Sequence, residues 1–186
     1  MLSVKFEVNP PLEYLKYWIK HIESSVLDNM TEFYDKWAGR VLKQEIAMIF
    51  ATEGYGQWAP LSPDYAQWKQ RHYPGRKMLR LSNSYFKAAT IKGARGNLCE
   101  IHPDKMIWGV DLETFASAFG APYPYYMEKG VMRMTTKKGL SVTPARPVFY
   151  LAENSKRLQD ALYVAFNDYL KKAIYRETHK YFMKEK

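Results

Sequence analysis

Val4-Lys5-Phe6-Glu7-Val8 alternates apolar and polar residues and stops at Asn9-Pro10-Pro11, the pattern of a short edge strand closed by two prolines. The period then changes. Leu12, Leu15, Trp18, Ile19 and Ile22 fall three or four residues apart, which predicts an amphipathic helix from Leu12 to Ile22. A longer stripe begins near Ser25 or Thr31 and carries Phe33, Trp37, Val41, Leu42, Ile46, Ile49 and Phe50, a helix of about five turns. Trp37 and Phe50 are packing residues in this reading. Gly39 is its weak point, costing up to about 1 kcal/mol relative to alanine if it is exposed.

The stretch from Phe50 to Ala89 is punctuation. Gly54 and Gly56 end the long helix, and Trp58-Ala59-Pro60-Leu61 forms an apolar plug. Ser62-Pro63-Asp64 opens a short helix with a hydroxyl at the N-cap and proline at the first helical position. Pro74-Gly75 breaks the chain again, and Leu81-Ser82-Asn83-Ser84-Tyr85 starts another brief helix. Ala89 to Lys92 and Leu98 to His102 flank a loop with two glycines, and Met106 to Val110 follows the Pro103-Asp104 turn, so an antiparallel three-stranded meander is expected.

Glu113 to Phe119 makes one or two helical turns before Gly120, and a tyrosine-rich segment, Tyr123 to Met127, comes next. Residues 129 to 145 are basic and carry two glycines; a strand pair with a Lys137-Lys138-Gly139 tip is one option, and an extended, mobile loop is the preferred one. Leu158, Leu162, Tyr163, Phe166, Tyr169, Leu170 and Ile174 then hold helical spacing over at least four turns. The cations Lys171, Lys172, Arg176 and Lys180 suit the negative end of that helix. The pattern as a whole predicts an α+β fold in one domain, residues 1–186. It comprises a helical N-terminal part (1–56), a central part with a small antiparallel β-sheet (57–150), and a long C-terminal helix (151–186).

Composition adds three constraints. Fifteen Tyr and five Trp are many for 186 residues, and such rings favour interfaces because they bury apolar area while keeping a polar tip. The formal charge of +9 is uneven: residues 1–61 carry six Lys/Arg against eight Asp/Glu, residues 62–110 nine against three, and residues 129–146 five against none. A basic middle suits a surface that meets phosphate or an acidic protein partner. The single Cys99 excludes an intramolecular disulfide and fits a reducing compartment. Met1 to Pro11 lacks the pattern of an export signal, and no apolar run approaches the ~20 residues that span a bilayer, so a soluble, unexported protein is expected.

Catalytic and metal chemistry finds little support. Lys92-Gly93-Ala94-Arg95-Gly96 lacks the spacing of a phosphate loop and reads as a hairpin turn. Glu100, His102 and Asp104 alternate, but Pro103 interrupts them, and three mixed ligands without a second cluster make a poor metal site. His21, His72 and His179 are scattered, and Cys99 has no adjacent His. Between Ser62 and Val110 the acids are only Asp64, Glu100 and Asp104.

The order Trp58-x-Pro60-Leu61-Ser62, Lys69, Gly75-Arg76-Lys77-Met78-Leu79, Leu81-Ser82-Asn83-Ser84-Tyr85 continues with Tyr123-Pro124-Tyr125-Tyr126-Met127-Glu128-Lys129-Gly130 and Pro144-Ala145-Arg146-Pro147-Val148-Phe149. It resembles the phage virion morphogenesis family, the Mu-like tail completion proteins, over roughly residues 45 to 170. One departure is that the family has Thr-Gly before its short helix, where this chain has Leu81-Ser82-Asn83. The resemblance implies a structural, non-enzymatic phage or prophage protein that acts as a ring or other multimer in tail completion or head-tail joining. It would contact tail or neck proteins within the virion and be assembled in the bacterial host cytoplasm. No catalytic residue, cofactor or metal carries over, and no membrane is involved.

On this reading Tyr123, Tyr125 and Tyr126 lie near an interface. Lys129, Arg133, Lys137 and Lys138 form a basic loop that touches an acidic neighbour or, non-specifically, DNA in a channel. Trp58, Leu61, Arg146 and Phe149 are structural. The alternative is a non-specific nucleic-acid-binding protein, for which Trp68-Lys69-Gln70-Arg71-His72-Tyr73 and Gly75-Arg76-Lys77 interleave cations with rings.

Overall fold

The computed structural model describes residues 12–28, 30–135 and 139–183, so the strand expected from Val4 to Val8 lies outside the described residues. α1 (Leu12–Ile22) runs into a π-helical turn, Glu23–Leu27. The long stripe follows as α2 (Thr31–Phe33), a second π turn (Tyr34–Ala38) and α3 (Gly39–Ala51). A π turn inserts extra residues per turn and so rotates the face that follows it. Phe33 and Ala38 accordingly belong to one apolar cluster, and Ile46, Ile49 and Phe50 to another. Gly39 is buried with the Trp108 ring against it, so it carries no exposure penalty.

The long C-terminal helix, expected from its spacing, is the 28-residue element Lys156–Met183, numbered α9 below in chain order. Ala165, Tyr169 and Ala173 are buried at four-residue intervals, and the two small residues let the N-terminal helices approach closely. The Phe33 ring meets Phe166 and Tyr169 at 5.4 and 5.5 Å. Arg176 bridges to Glu32 at 3.1 Å across the same seam, an exposed pair that adds little stability.

The second cluster is built around Phe50. Its ring takes edge contacts from Trp58, Tyr85 and Phe86 at 6.1, 5.3 and 5.4 Å, and Tyr85 passes the contact on to Phe115 and Tyr123. The elements that deliver these rings are α4 (Pro63–His72), α5 (Ser84–Thr90), β1 (Asn97–Ile101), β2 (Met106–Val110), α6 (Leu112–Phe119), α7 (Tyr123–Lys129), β3 (Val131–Thr135), β4 (Gly139–Thr143) and α8 (Phe149–Glu153). Ser62 stands at the N-cap of α4 with Pro63 in its first turn, but its hydroxyl makes no cap bond.

The fold is α+β, with two corrections to the expected sheet. The three-stranded meander is a two-stranded hairpin, Asn97↔Val110 to Ile101↔Met106. Ala89 and Thr90 end α5 instead of forming a strand. Thr90 Oγ1 donates to the Phe86 carbonyl at 2.6 Å, while Asn97 Nδ2 and Trp108 Nε1 reach the Ala88 and Ala89 carbonyls at 2.7 and 2.8 Å. The hairpin side chains thus satisfy the free end of the helix. The second correction is the basic segment, expected as an extended loop: Val131–Thr135 pairs antiparallel with Gly139–Thr143. Gly130 allows the entry, with φ +72° and room for no Cβ, which would stand 2.9 Å from the Ala145 amide nitrogen.

Two carboxylates tie the parts together. Glu128 Oε1 accepts from Tyr85 Oη at 2.8 Å and from the Val148 and Phe149 amides at 2.7 and 3.1 Å, so α7 caps the start of α8 and satisfies a fully buried phenol. Glu45 is 3% exposed on α3 and accepts from Tyr55 Oη, from Ser155 Oγ at 2.6 Å and from the Arg157 guanidinium. Ser155 Oγ in turn accepts from the Leu158 amide at 3.2 Å, capping α9. Burial alone would raise the Glu45 carboxyl above its ordinary value, but the donations from Ser155, Tyr55 and Arg157 outweigh it and hold the group low.

Two outcomes follow for equilibrium unfolding in denaturant. Tyr85→Phe should cost about 1 kcal/mol, and Glu128→Ala about 3 kcal/mol, because the second change leaves a buried phenol and two amides without an acceptor. Equal costs would mean that the carboxylate is dispensable. Because the folded-state value of Glu45 lies below its unfolded one, its contribution is present above the ordinary 4.5 and is lost as pH falls through the lower folded value. Glu45→Gln should therefore flatten the decline in stability below about pH 4.5.

Candidate functional site

Of the residues singled out in the sequence, Trp58, Leu61, Arg146 and Phe149 gather at or beside one place, a crossing of two irregular segments, residues 53–62 and 143–148. Trp58 is 5% exposed, and its Nε1 donates to the Pro147 carbonyl at 2.9 Å. Its ring lies over Gly54, where a Cβ would come within 2.3 Å and where φ is +71°. Arg146 is 6% exposed; Nε donates to the Ala59 carbonyl and Nη2 to the Pro60 carbonyl, each at 3.1 Å. Its backbone amide donates to the Met127 carbonyl at 2.6 Å, which anchors the crossing to α7. Phe149 packs half-buried on the Phe50 cluster, with its amide on Glu128.

Leu61 stands beside this crossing in a cleft of about 450 Å³ between α4 and the 142–146 strand exit. Lys69 and Arg146 both line that cleft. Lys69 is 7% exposed, and its Nζ donates to the Lys77 carbonyl at 2.8 Å. In the sequence Lys69 stands among the recurring residues and among the cations of the nucleic-acid alternative, which needs it on the surface. Its burial was invisible in a segment that otherwise reads as a charged surface.

The three tyrosines separate. Tyr123 faces inward, edge-on to Phe115 at 5.1 Å and to Tyr85 at 6.0 Å, and burial raises its phenol above the ordinary value despite hydrogen bonds from Tyr85 and Ser82. Tyr125 is exposed, its ring 6.0 Å from that of the half-buried Tyr126. Tyr125 lines a groove of about 530 Å³ together with Trp108, Leu112, Lys129, Phe149 and the exposed Tyr150. Of the three, Tyr125 alone is exposed, with about half of its surface open to a partner at 49%.

Of the basic residues, Lys129 is exposed at the end of α7, and Arg133 stands on β3 opposite Ser141. Lys137 and Lys138 lie outside the described residues. The hairpin presents Met132 and Val142, paired in register and 73% and 57% exposed, as an apolar couple on its surface.

On α4, Tyr65, Trp68 and His72 form a ladder of stacked rings with centroid spacings of 5.5 and 5.0 Å, and about two-fifths of both Tyr65 and Trp68 is exposed. Glu100 and His102 stand 3.6 Å apart on the exposed side of the β1–β2 hairpin. Among the described residues, no group of three metal-ligating side chains gathers, and no helix is long and apolar enough to cross a membrane. Cys99 is half-buried, and burial raises its thiol above the ordinary value, the opposite of an activated nucleophile.

Trp58→Ala should cost about 3 to 5 kcal/mol in equilibrium unfolding, the range for emptying an aromatic site, since it also orphans the Pro147 carbonyl. A parental melting curve would show that the crossing does not depend on this ring. No protein-family model matches the chain, and neither a curated protein nor a solved structure is significantly similar to it.

Proposed function

We propose that this chain is a structural protein of a phage or prophage, acting in virion morphogenesis at the tail-completion or head-tail-joining step. The observation that carries the proposal is the ordered set of motifs from Trp58 to Phe149, together with their meeting at one crossing. A scaffold needs such residues to hold its shape, whereas catalysis would need them to face a substrate. The departure from the family pattern supports the reading as well. Asn83 adopts φ 60°, the left-handed region that glycine enters freely and that asparagine tolerates best of the remaining residues.

Its partners are further copies of itself in a ring and neighbouring tail or neck proteins, met through exposed rings such as Tyr125 and Tyr150. Exposed large apolar side chains also run along α9, where Tyr163, Val164 and Tyr175 are 58% to 74% exposed. Such a surface suits assembly more than a solitary life in solution. A second reading, non-specific binding of nucleic acid, is favoured by the α4 ring ladder beside Arg71, Arg76 and Lys77.

The deciding experiment deletes the gene from its inducible element and examines lysates by electron microscopy. Heads and tails should accumulate unjoined, and the purified protein should restore joining. Normal particles from the deletion would overturn the proposal. For the second reading, binding to unrelated duplexes should weaken steeply with salt, with a slope set by the few phosphates engaged, and Lys137→Glu with Lys138→Glu should lower that slope. The same double variant should fail at joining, without loss of any DNA binding, if these two lysines meet protein instead.

A further inference from the structure

The cleft behind the crossing holds two cations that no carboxylate among the described residues meets within ion-pair distance. Lys69 and Arg146 are each more than nine-tenths buried, and among the described residues neither forms an ion pair. Of three ammonium donors, Lys69 places one on the Lys77 carbonyl; of five guanidinium donors, Arg146 places one each on the Ala59 and Pro60 carbonyls. Carbonyl dipoles offset only part of the cost of taking a charge out of water.

Burial holds the Lys69 ammonium below its ordinary value, with Glu53 pulling it back up and the Arg146 charge pushing it further down. Glu53 is itself engaged, since its Oε1 accepts the Met78 amide at 2.8 Å. The same burial lowers Arg146. Leu61, Met78, Leu79 and Met127 give the cleft apolar walls, and the exposed Tyr65 and Val142 stand at its border, with Ser62 and Thr143 as polar members of the lining.

We propose that this cleft accepts a carboxylate presented by another protein chain, an Asp or Glu side chain flanked by apolar residues and seated between Lys69 and Arg146. Charge complementarity is the first argument, because a carboxylate between Lys69 and Arg146 attracts both cations and offsets one of their two charges, of which Glu53 tempers only that on Lys69. Geometry is the second: a guanidinium offers a planar fork that matches two carboxylate oxygens. The apolar walls are the third, since they suit the side chains on either side of the acid, and aromatic residues such as Tyr65 and its stacking partner Trp68 are the kind that anchor a peptide. Phosphates on a duplex line a broad convex rod and are met by exposed cations, which makes two buried ones in an apolar cleft a poor match. The assignment concerns the cleft alone and holds whichever assembly the chain serves.

The test uses the full chain labelled with nitrogen-15, in which the Arg146 Nε–H signal reports on the cleft directly. The probes are pentapeptides of leucine and serine, acetylated at the N-terminus and amidated at the C-terminus, with a central glutamate, the same peptides with central glutamine, inorganic phosphate, and a short duplex DNA. Variants of Arg146 would disturb the crossing, so the variant is Lys69→Met, which removes one cation and keeps the apolar bulk.

The glutamate peptides should move the Arg146 signal and bind about tenfold or more tighter than the glutamine peptides, and Lys69→Met should weaken them by a similar factor. Equal binding of the two peptide sets overturns the proposal, as does undiminished binding by a folded Lys69→Met. An Arg146 signal that answers to phosphate or DNA and ignores the glutamate peptides overturns it too. Should Lys69→Met fail to fold, the peptide comparison on the parent chain decides alone.

Discussion

Irregular backbone that leaves water must still find hydrogen-bond partners, and this fold depends on how that demand is met where residues 53–62 cross residues 143–148. Pro60, Pro144 and Pro147 remove three amide donors from the two segments, so the segments cannot pair with each other as strands would. Side chains take over. Arg146 supplies donors to Ala59 and Pro60, Trp58 supplies one to Pro147, and Glu128 accepts the amides just beyond. Trp58 is also a member of the Phe50 cluster, and Glu128 accepts from Tyr85 within it, so polar satisfaction and apolar burial meet here.

The crossing also explains where backbone strain is tolerated. Glu53, Tyr55, Leu79 and Asn83 have positive φ, and every non-glycine residue of that kind among the described residues lies in this one stretch. Such conformations persist where surroundings over-determine them. Glu53 is held by the Met78 amide, Tyr55 by Glu45, and Asn83 Oδ1 by the Arg80 guanidinium at 3.0 Å. Two glycines, at 54 and 56, take left-handed conformations next to them, so the helix end turns back sharply enough to bring Trp58 beneath Phe50.

Most helices were legible in the sequence because their apolar stripes are long and their ends carry Gly or Pro. Leu12–Ile22 and the body of Lys156–Met183 follow directly from spacing. The π turns were not legible, since they change the phase of a stripe without changing its composition. Ala89 and Thr90 were misread because small and β-branched residues suit a strand, and nothing local shows that Asn97 and Trp108 will cap the helix they end. The strand pair after Gly130 was outweighed by its charge, although Val131, Thr135, Val142 and Thr143 are β-branched. The candidate site was half legible: Trp58, Leu61, Arg146 and Phe149 stood out as punctuation around prolines. The burial of Lys69, like the inward turn of Tyr123, depends on partners far away in sequence.

The hydrogen bonds of the crossing join residues 86, 87 and 89 positions apart. Closing a loop of that length carries an entropic cost that must be met before its contacts can repay it, which weighs against the crossing as an early contact in folding. On the ribosome the order is stricter. The stripe from Phe33 to Phe50 is complete long before Arg146 and Pro147 have been made, and until they emerge Trp58 and the carbonyls of Ala59 and Pro60 lack the groups that hold them. The nascent chain therefore carries an open apolar face through the synthesis of its whole central part, and its N-terminal helices stay uncovered until α9 has cleared the exit tunnel as well.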